Sequence, residues 1–167
     1  MISHQNIISN VLQINIYEAP ARKRISRDYT EVVLGLLPLS HIYGLIVVAQ
    51  SGVYRGDEVI ILPKYGLESL LKTIQTYKIQ MLYLVGPPTS SKITMLTKMK
   101  VPPILIQICK SQEICKKYDQ SSVRALFTGA APLGVETAED LQKIYPTWKI
   151  RQGYGKSFPS RSQRTKH

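Results

Sequence analysis

The chain has 167 residues and a mass of 18.9 kDa, with 44% hydrophobic and 20% charged residues, which fits one globular domain with a real core and not a disordered polymer. It carries 22 Lys/Arg against 11 Asp/Glu, a formal net charge of +11. No apolar run approaches the roughly 18 residues a membrane span needs, the opening MISHQNIISN is unlike a secretory signal, and two cysteines, Cys109 and Cys115, exclude a disulfide scaffold and are too few for a cysteine zinc site.

In chain order, His4 to Tyr17 reads as a helix, with Ile7, Ile8, Val11, Leu12 and Asn15 at helical spacing, ended by Pro20 and a basic run. Glu31 to Leu37 (EVVLGLL) is a short apolar run stopped by Pro38, as a buried strand would be. Ile42 to Val53 reads as an apolar helix and Glu58 to Leu62 (EVIIL) as a second strand. Leu67, Leu70, Leu71, Ile74 and Tyr77 mark an amphipathic helix, followed by a third strand at Gln80 to Val85. Pro103 to Lys110 begins another apolar helix, Val123 to Thr128 is a strand, and Val135, Ala138, Leu141 and Tyr145 mark a further helix. Trp148 to Gln152 is the last strand. Strands alternating with helices at this spacing predict an α/β fold: a largely parallel sheet with flanking helices.

The excess of positive charge invites a nucleic-acid reading, but its distribution opposes one. Residues 1–85 and 102–155 together carry only +4. The other +7 lies in two segments without any acid, 86–101 with three lysines and 156–167 with Lys156, Arg161, Arg164 and Lys166. A nucleic-acid surface would interleave basic with aromatic residues, so no nucleic-acid partner is expected. The remaining cluster, Arg22-Lys23-Arg24 with Arg27, fits either a solvated loop or a phosphate contact.

Three segments leave strands at the end of a parallel sheet where ligands bind. LPLSHIYGL (37–45) places His41 between a strand and a helix; a capping or buried structural histidine fits as well as a ligand contact. TGAAPL (128–133) offers small residues on which a planar ligand can lie, followed by a helix N-terminus. QGYG (152–155) sets two glycines around an aromatic ring.

Taken together and in this order, these segments resemble the adenylate-forming (AMP-binding) superfamily of acyl-CoA synthetases, coumarate–CoA ligases and beetle luciferases. LPLSHIYGL is similar to its LPxFHxxGL-type motif, TGAAPL to its adenine-contacting segment, QGYG to the front of QGYGxTE, and MISHQNIISN to the stretch after its phosphate loop. The resemblance covers residues 1–85 and 102–155. It implies part of the large N-terminal domain of an enzyme that activates a small-molecule carboxylate with ATP and Mg²⁺ to an acyl-adenylate, then transfers the acyl group to coenzyme A. It implies substrate contacts at His41, Tyr43 and Gly153, and nucleotide contacts at Gly129, Ala130, Ala131, Pro132, Gln152, Tyr154 and Gly155. The implied compartment is intracellular, cytoplasmic or peroxisomal; the last residues, Thr165-Lys166-His167, are not an SKL-type signal.

Measured against that family, the phosphate loop would lie before Met1, Lys156-Ser157 stands where Thr-Glu would contact phosphate and metal, and the C-terminal catalytic lysine is absent. The sequence therefore reads as an internal fragment, inactive by itself; a non-catalytic binding or regulatory module retaining part of the adenylate pocket is the alternative. Residues 1–155 form the partial AMP-binding domain and 156–167 a basic tail. Removing Val85–Lys100 joins Leu84 to Val101-Pro102-Pro103-Ile104 as the family would have it. Those sixteen residues fit a retained in-frame intron or a lysine-bearing loop insertion.

Overall fold

The computed structural model describes residues 3–85, 104–129 and 133–153. Within them five strands pair in parallel: β1 (Val32–Gly35), β2 (Glu58–Ile61), β3 (Met81–Val85), β4 (Ala125–Gly129) and β5 (Lys149–Gln152). Their spatial order is β2-β1-β3-β4-β5. The helices are α1 (His4–Lys23), α2 (Tyr43–Gln50), α3 (Ser51–Arg55), α4 (Leu67–Tyr77), α5 (Ile104–Lys110), α6 (Gln112–Cys115) and α7 (Val135–Ile144). The α/β class and the parallel sheet agree with the alternation of patterns in the sequence.

Alternating strand residues sort the core into two layers. Leu34, Leu82, Leu84 and Leu126 pack with α4, α5 and α7 on one face, where Leu70, Leu71, Ile74, Leu105 and Leu141 are buried. Val33, Met81, Tyr83 and Ala125 face the other way, against Tyr43 and Val48 of α2. The strand order explains the division. The chain leaves β1 through α2 and α3 toward β2, then returns across β1 to β3. Right-handed crossovers in opposite directions put their helices on opposite faces. Helix ends follow local chemistry: Ser3 caps α1 in a reciprocal bond pair with Asn6, Gly56 closes α3 with φ 72°, and Lys78 closes α4 with φ 51°.

Three local readings are corrected. Helix α1 does not stop before Pro20 but runs to Lys23 with Pro20 inside. A proline inside a helix costs a hydrogen bond; here the turn beyond it is held by tertiary contacts. The Arg22 guanidinium donates to Glu31 at 2.7 Å, to Asp57, and to the Tyr29 carbonyl at 3.0 Å. Arg22 is therefore a buried ion-pair residue and not part of a solvated loop, while Lys23, Arg24 and Arg27 are exposed. Asp57 also accepts from Arg55 Nε at 2.6 Å and from the Glu31 backbone N–H at 3.0 Å, and Glu31 accepts from Arg124 Nε at 2.9 Å. Five charged side chains thus interlock below the amino ends of β1, β2 and β4.

The second correction concerns residues 42–53. They are helical, but Tyr43–Gln50 is wound as a π-helix before α-helical geometry resumes at Ser51. The Ser51 hydroxyl donates to the Ile46 carbonyl at 3.0 Å, five residues back, which supports the wide winding. The third is the short helix α6, which the sequence pattern did not mark. Of the proposed insert 85–100, Val85 ends β3 and the rest lies outside the described residues, as does the tail 156–167.

Candidate functional site

In an open parallel sheet the ligand crevice lies beyond the carboxyl strand ends, where connections diverge to opposite faces. Here that place is between β1 and β3. The loop after β1 carries His41, and α2 opens at Tyr43. His41 Nδ1 accepts the Tyr43 backbone N–H at 3.2 Å, which ties the exposed imidazole to the first turn of α2. Gly44 makes the tight entry possible, because a Cβ there would lie 2.4 Å from the Pro38 carbonyl oxygen.

Tyr43 is buried and reaches across the sheet. Its hydroxyl donates to the Phe127 carbonyl on β4 at 3.0 Å. Its ring meets Tyr83 edge-on at 6.4 Å and Phe127 at 6.1 Å, while Tyr83 and Phe127 are 5.9 Å apart. Such edge-to-face spacings are favourable aromatic geometry. The two glycines of the motifs receive these rings. A Cβ on Gly129 would stand 3.2 Å from the Tyr43 ring, and one on Gly153 would stand 2.7 Å from the Phe127 ring. Gly153 N–H also donates to the Thr128 carbonyl at 2.9 Å, and Gln152 sits opposite Thr128 in the β4–β5 register.

Beside this aromatic cluster lies a cavity of about 570 Å³. Tyr83 of β3, Phe127 of β4 and Arg151 of β5, with Gly153 beyond it, form its sheet side; Val47 of α2 and, on α1, Ile14 and Glu18, the last ion-paired to Arg151 at 2.5 Å, form the rest. The structure thus brings Tyr43, Gly129, Gln152 and Gly153 to one end of the sheet, with His41 at its rim. Ala130, Ala131, Pro132, Tyr154 and Gly155 lie outside the described residues. Val47, Tyr83 and Phe127 were not singled out from the sequence. Their signal was the period-two alternation of β3 and β4, which sets Tyr83 and Phe127 directly opposite each other. The Thr128 hydroxyl is buried, 1% exposed, and has no hydrogen-bond partner among the described residues. No group of three His, Cys, Asp or Glu side chains among the described residues could hold a metal ion.

Burial holds the Tyr43 phenol far above its ordinary range, and the neighbouring Tyr83 phenol adds to this. Burial raises Tyr83 as well, against the opposing pull of Arg55. Both remain neutral in the folded chain, whereas in the unfolded chain a tyrosine ionises near pH ~10. The folded form keeps protons that the unfolded form releases, so the stability they confer is present below pH ~10 and is lost as pH rises past it. Urea midpoints measured from neutral to strongly alkaline pH should stay level and then fall. The phenolate absorbance of these two residues should appear only with unfolding.

A cavity between α1 and the face of a parallel sheet, lined by the Tyr83 and Phe127 rings and reaching Gly153 just beyond β5, is the concave feature of this α/β domain beside its strand-end motifs. The sequence profile described as AMP-binding enzyme matches residues 1–157, and the chain belongs to that family. It is 39% identical over 155 residues to the acyl-CoA ligase lcsD of Purpureocillium lilacinum, a match covering 93% of this chain and 35% of that protein. It is 35% identical over 155 residues to 4-coumarate–CoA ligase 1 of Petroselinum crispum, covering 93% of this chain and 25% of that protein. Among solved structures, the adenylation domain of a keto acid-selecting NRPS module bound to keto acyl adenylate superposes with a TM-score of 0.68 at 18% identity, covering 93% of this chain and 26% of that one. The long-chain-fatty-acid-CoA ligase FadD1 of Archaeoglobus fulgidus gives 0.67 at 21% identity, covering 94% and 28%. These structures share the fold. The chain spans about a quarter to a third of the length of the curated relatives named here. No helix among the described residues is long and apolar enough to cross a membrane.

Proposed function

We propose that the chain is the acyl- and adenine-binding portion of an ATP-dependent acid–CoA ligase. In that reaction a carboxylate oxygen attacks the α-phosphorus of ATP and pyrophosphate leaves; the thiol of coenzyme A then attacks the acyl carbonyl, giving the thioester and AMP. The observation that supports this reading is the cavity itself. It is walled by Tyr83 of β3, Phe127 of β4, Arg151 and Gln152 of β5, Val47 of α2 and one side of α1, and it reaches Gln152-Gly153, the start of the QGYG motif.

The acyl group lies in the cavity against Val47, Tyr83 and Phe127, with Tyr43 closing the end nearest β4 and His41 at the rim. The adenine lies across the carboxyl ends of β4 and β5, at Gly129, Gln152 and Gly153, with Ala130, Ala131, Pro132, Tyr154 and Gly155 completing its contacts. The orphaned Thr128 hydroxyl at that end suits a polar ligand atom. What these residues contribute is positioning and exclusion of water. Magnesium finds no ligand cluster among the described residues. The substrate is a small-molecule carboxylate, and the compartment is cytoplasmic or peroxisomal. Residues 1–155 are read as the partial AMP-binding domain, with 85–100 an insert and 156–167 a tail; the nucleotide sequence at codons 85, 100 and 155 tests this, since a retained intron requires GT, AG and GGTAAG there.

This portion is read as binding ligand without turning it over. The 167-residue chain should show no carboxylate-dependent ATP–pyrophosphate exchange above a heat-killed control. It should bind acyl-sulfamoyl-adenosine at least about tenfold more tightly than AMP, since burying even two methylenes gives more than one factor of ten. Affinities independent of the acyl group would overturn the assignment of the cavity, and measurable exchange would overturn the inactivity.

A further inference from the structure

A second cavity lies at the opposite, amino end of the sheet. Its volume is about 340 Å³, and its lining includes Arg22, Lys23, Ser26, Arg27, Tyr29 and Arg55. Four of these side chains are cationic, and no carboxylate belongs to the lining. Two of the cations are built in: the Arg22 and Arg55 side chains are only 8% and 6% exposed. Lys23 and Arg27 stand exposed at the rim.

The charges behind the wall do not balance. Glu31 and Asp57 are two carboxylates, while Arg22, Arg55 and Arg124 are three guanidinium groups paired to them. Tyr29 does not supply the missing negative charge, because burial and the nearby Glu31 both hold its phenol in the neutral form. Each guanidinium has a carboxylate partner, but the cluster as a whole holds three cations against two anions, and that net positive charge favours an anion seated against Arg22 and Arg55. Both carboxylates are fully buried, so an entering anion meets Lys23, Arg27, the Ser26 hydroxyl and those N–H groups of Arg22 and Arg55 not already given to Glu31, Asp57, Asn15, the Tyr29 carbonyl and the Tyr83 hydroxyl. Planar guanidinium forks with hydroxyl donors are phosphate-binding chemistry.

We propose that this cavity binds a phosphate group, either inorganic phosphate or the phosphate monoester of a small molecule. The site shares no lining residue with the other cavity, although its Arg55 guanidinium donates to the Tyr83 hydroxyl of that cavity at 3.4 Å. It does not depend on the assignment of that cavity.

The test titrates the full chain, with phosphorus NMR as readout, using inorganic phosphate in one arm and glycerol 2-phosphate in the other. Chloride at matched ionic strength is the control for screening. The comparison variant is Lys23→Ala/Arg27→Ala; both side chains are exposed and lie outside the ion pairs, so its thermal melt should match the parent's. Saturable line broadening is expected with the parent chain, and binding by the variant should be at least about tenfold weaker, since charge-assisted hydrogen bonds each contribute about that factor or more. A tighter monoester identifies the ligand as a phosphorylated small molecule, and a tighter or equal free ion identifies it as phosphate itself. Equal affinity in parent and variant, no saturable broadening in the parent, or an equal effect from chloride would each overturn the proposal.

Discussion

Asp57→Ala should destabilise the fold by about 3–5 kcal/mol, the cost of removing one partner from a buried ion pair. The carboxylate of Asp57 is fully buried and serves three donors: Arg22 at the end of α1, Arg55 at the end of α3, and the backbone N–H of Glu31 just before β1. Removing it leaves Arg55 without a carboxylate and Arg22 with Glu31 alone, in a site that already holds more cations than anions. The loss exceeds that of a surface pair because water cannot replace the missing acceptor. Urea denaturation of parent and variant measures the difference. Asp119→Ala is the internal comparison: its partner Lys78 is largely exposed, and the unfolding midpoint should scarcely move. If both variants lost equal stability, burial would not be what makes the Asp57 cluster matter.

Gly44→Ala should cost roughly 1–3 kcal/mol or more, as overpacking does when its neighbours are rigid. The added methyl would meet the Pro38 carbonyl oxygen at 2.4 Å, the Pro38 carbonyl carbon at 2.9 Å and the Leu37 carbonyl oxygen at 3.0 Å. All three are backbone atoms, and the Pro38 carbonyl already accepts the His41 N–H at 3.0 Å, so that turn has little freedom to withdraw. The strain is relieved by moving the start of α2 away from the sheet. This draws the Tyr43 hydroxyl off the Phe127 carbonyl and opens the aromatic cluster beside the cavity. Denaturation gives the energetic cost, and easier alkaline ionisation of Tyr43 reports the displacement. Gly153→Ala makes a useful contrast. Its 2.7 Å encounter is with the Phe127 ring, a side chain that can turn, so stability should suffer less while the cavity is narrowed. Stability unchanged by Gly44→Ala would mean that the loop from Leu37 to His41 yields freely.

Much of this architecture is legible from local patterns. Strand β3 and helix α4 announce themselves because their signal, a run or stripe of apolar residues, is contained in neighbouring positions. The strand-end motifs fall at the ligand end of the sheet for the same reason: a parallel strand followed by small residues and a helix defines its own geometry. What local pattern cannot show is a residue whose partner is remote. Arg22 reads as one of a basic run because Glu31 and Asp57, nine and 35 residues away, are what make it internal. The continuation of α1 past Pro20 follows from those contacts and was hidden with them. Tyr83 and Phe127 lie in ordinary strand patterns, and their importance arises from facing each other and Tyr43 across two strands. The π-helical winding of α2 was equally invisible, since Tyr43–Gln50 has the composition of any buried helix.

The anchoring of α1 also sets an order of events. Its last turns are fastened by Arg22 to residues just before β1 and β2, and Glu18 is fastened to Arg151, 133 positions further along the chain. Contacts of such separation carry a large loop-closure cost and are made late. Synthesis in the N-to-C direction produces α1 before the five described strands, yet α1 cannot make its final attachment until β5, the last of them, is in place. Helix α1 acts as a latch over the five described strands. Because Glu18 and Arg151 also wall the larger cavity, that pocket takes its finished shape only when the most distant parts of the described chain have met.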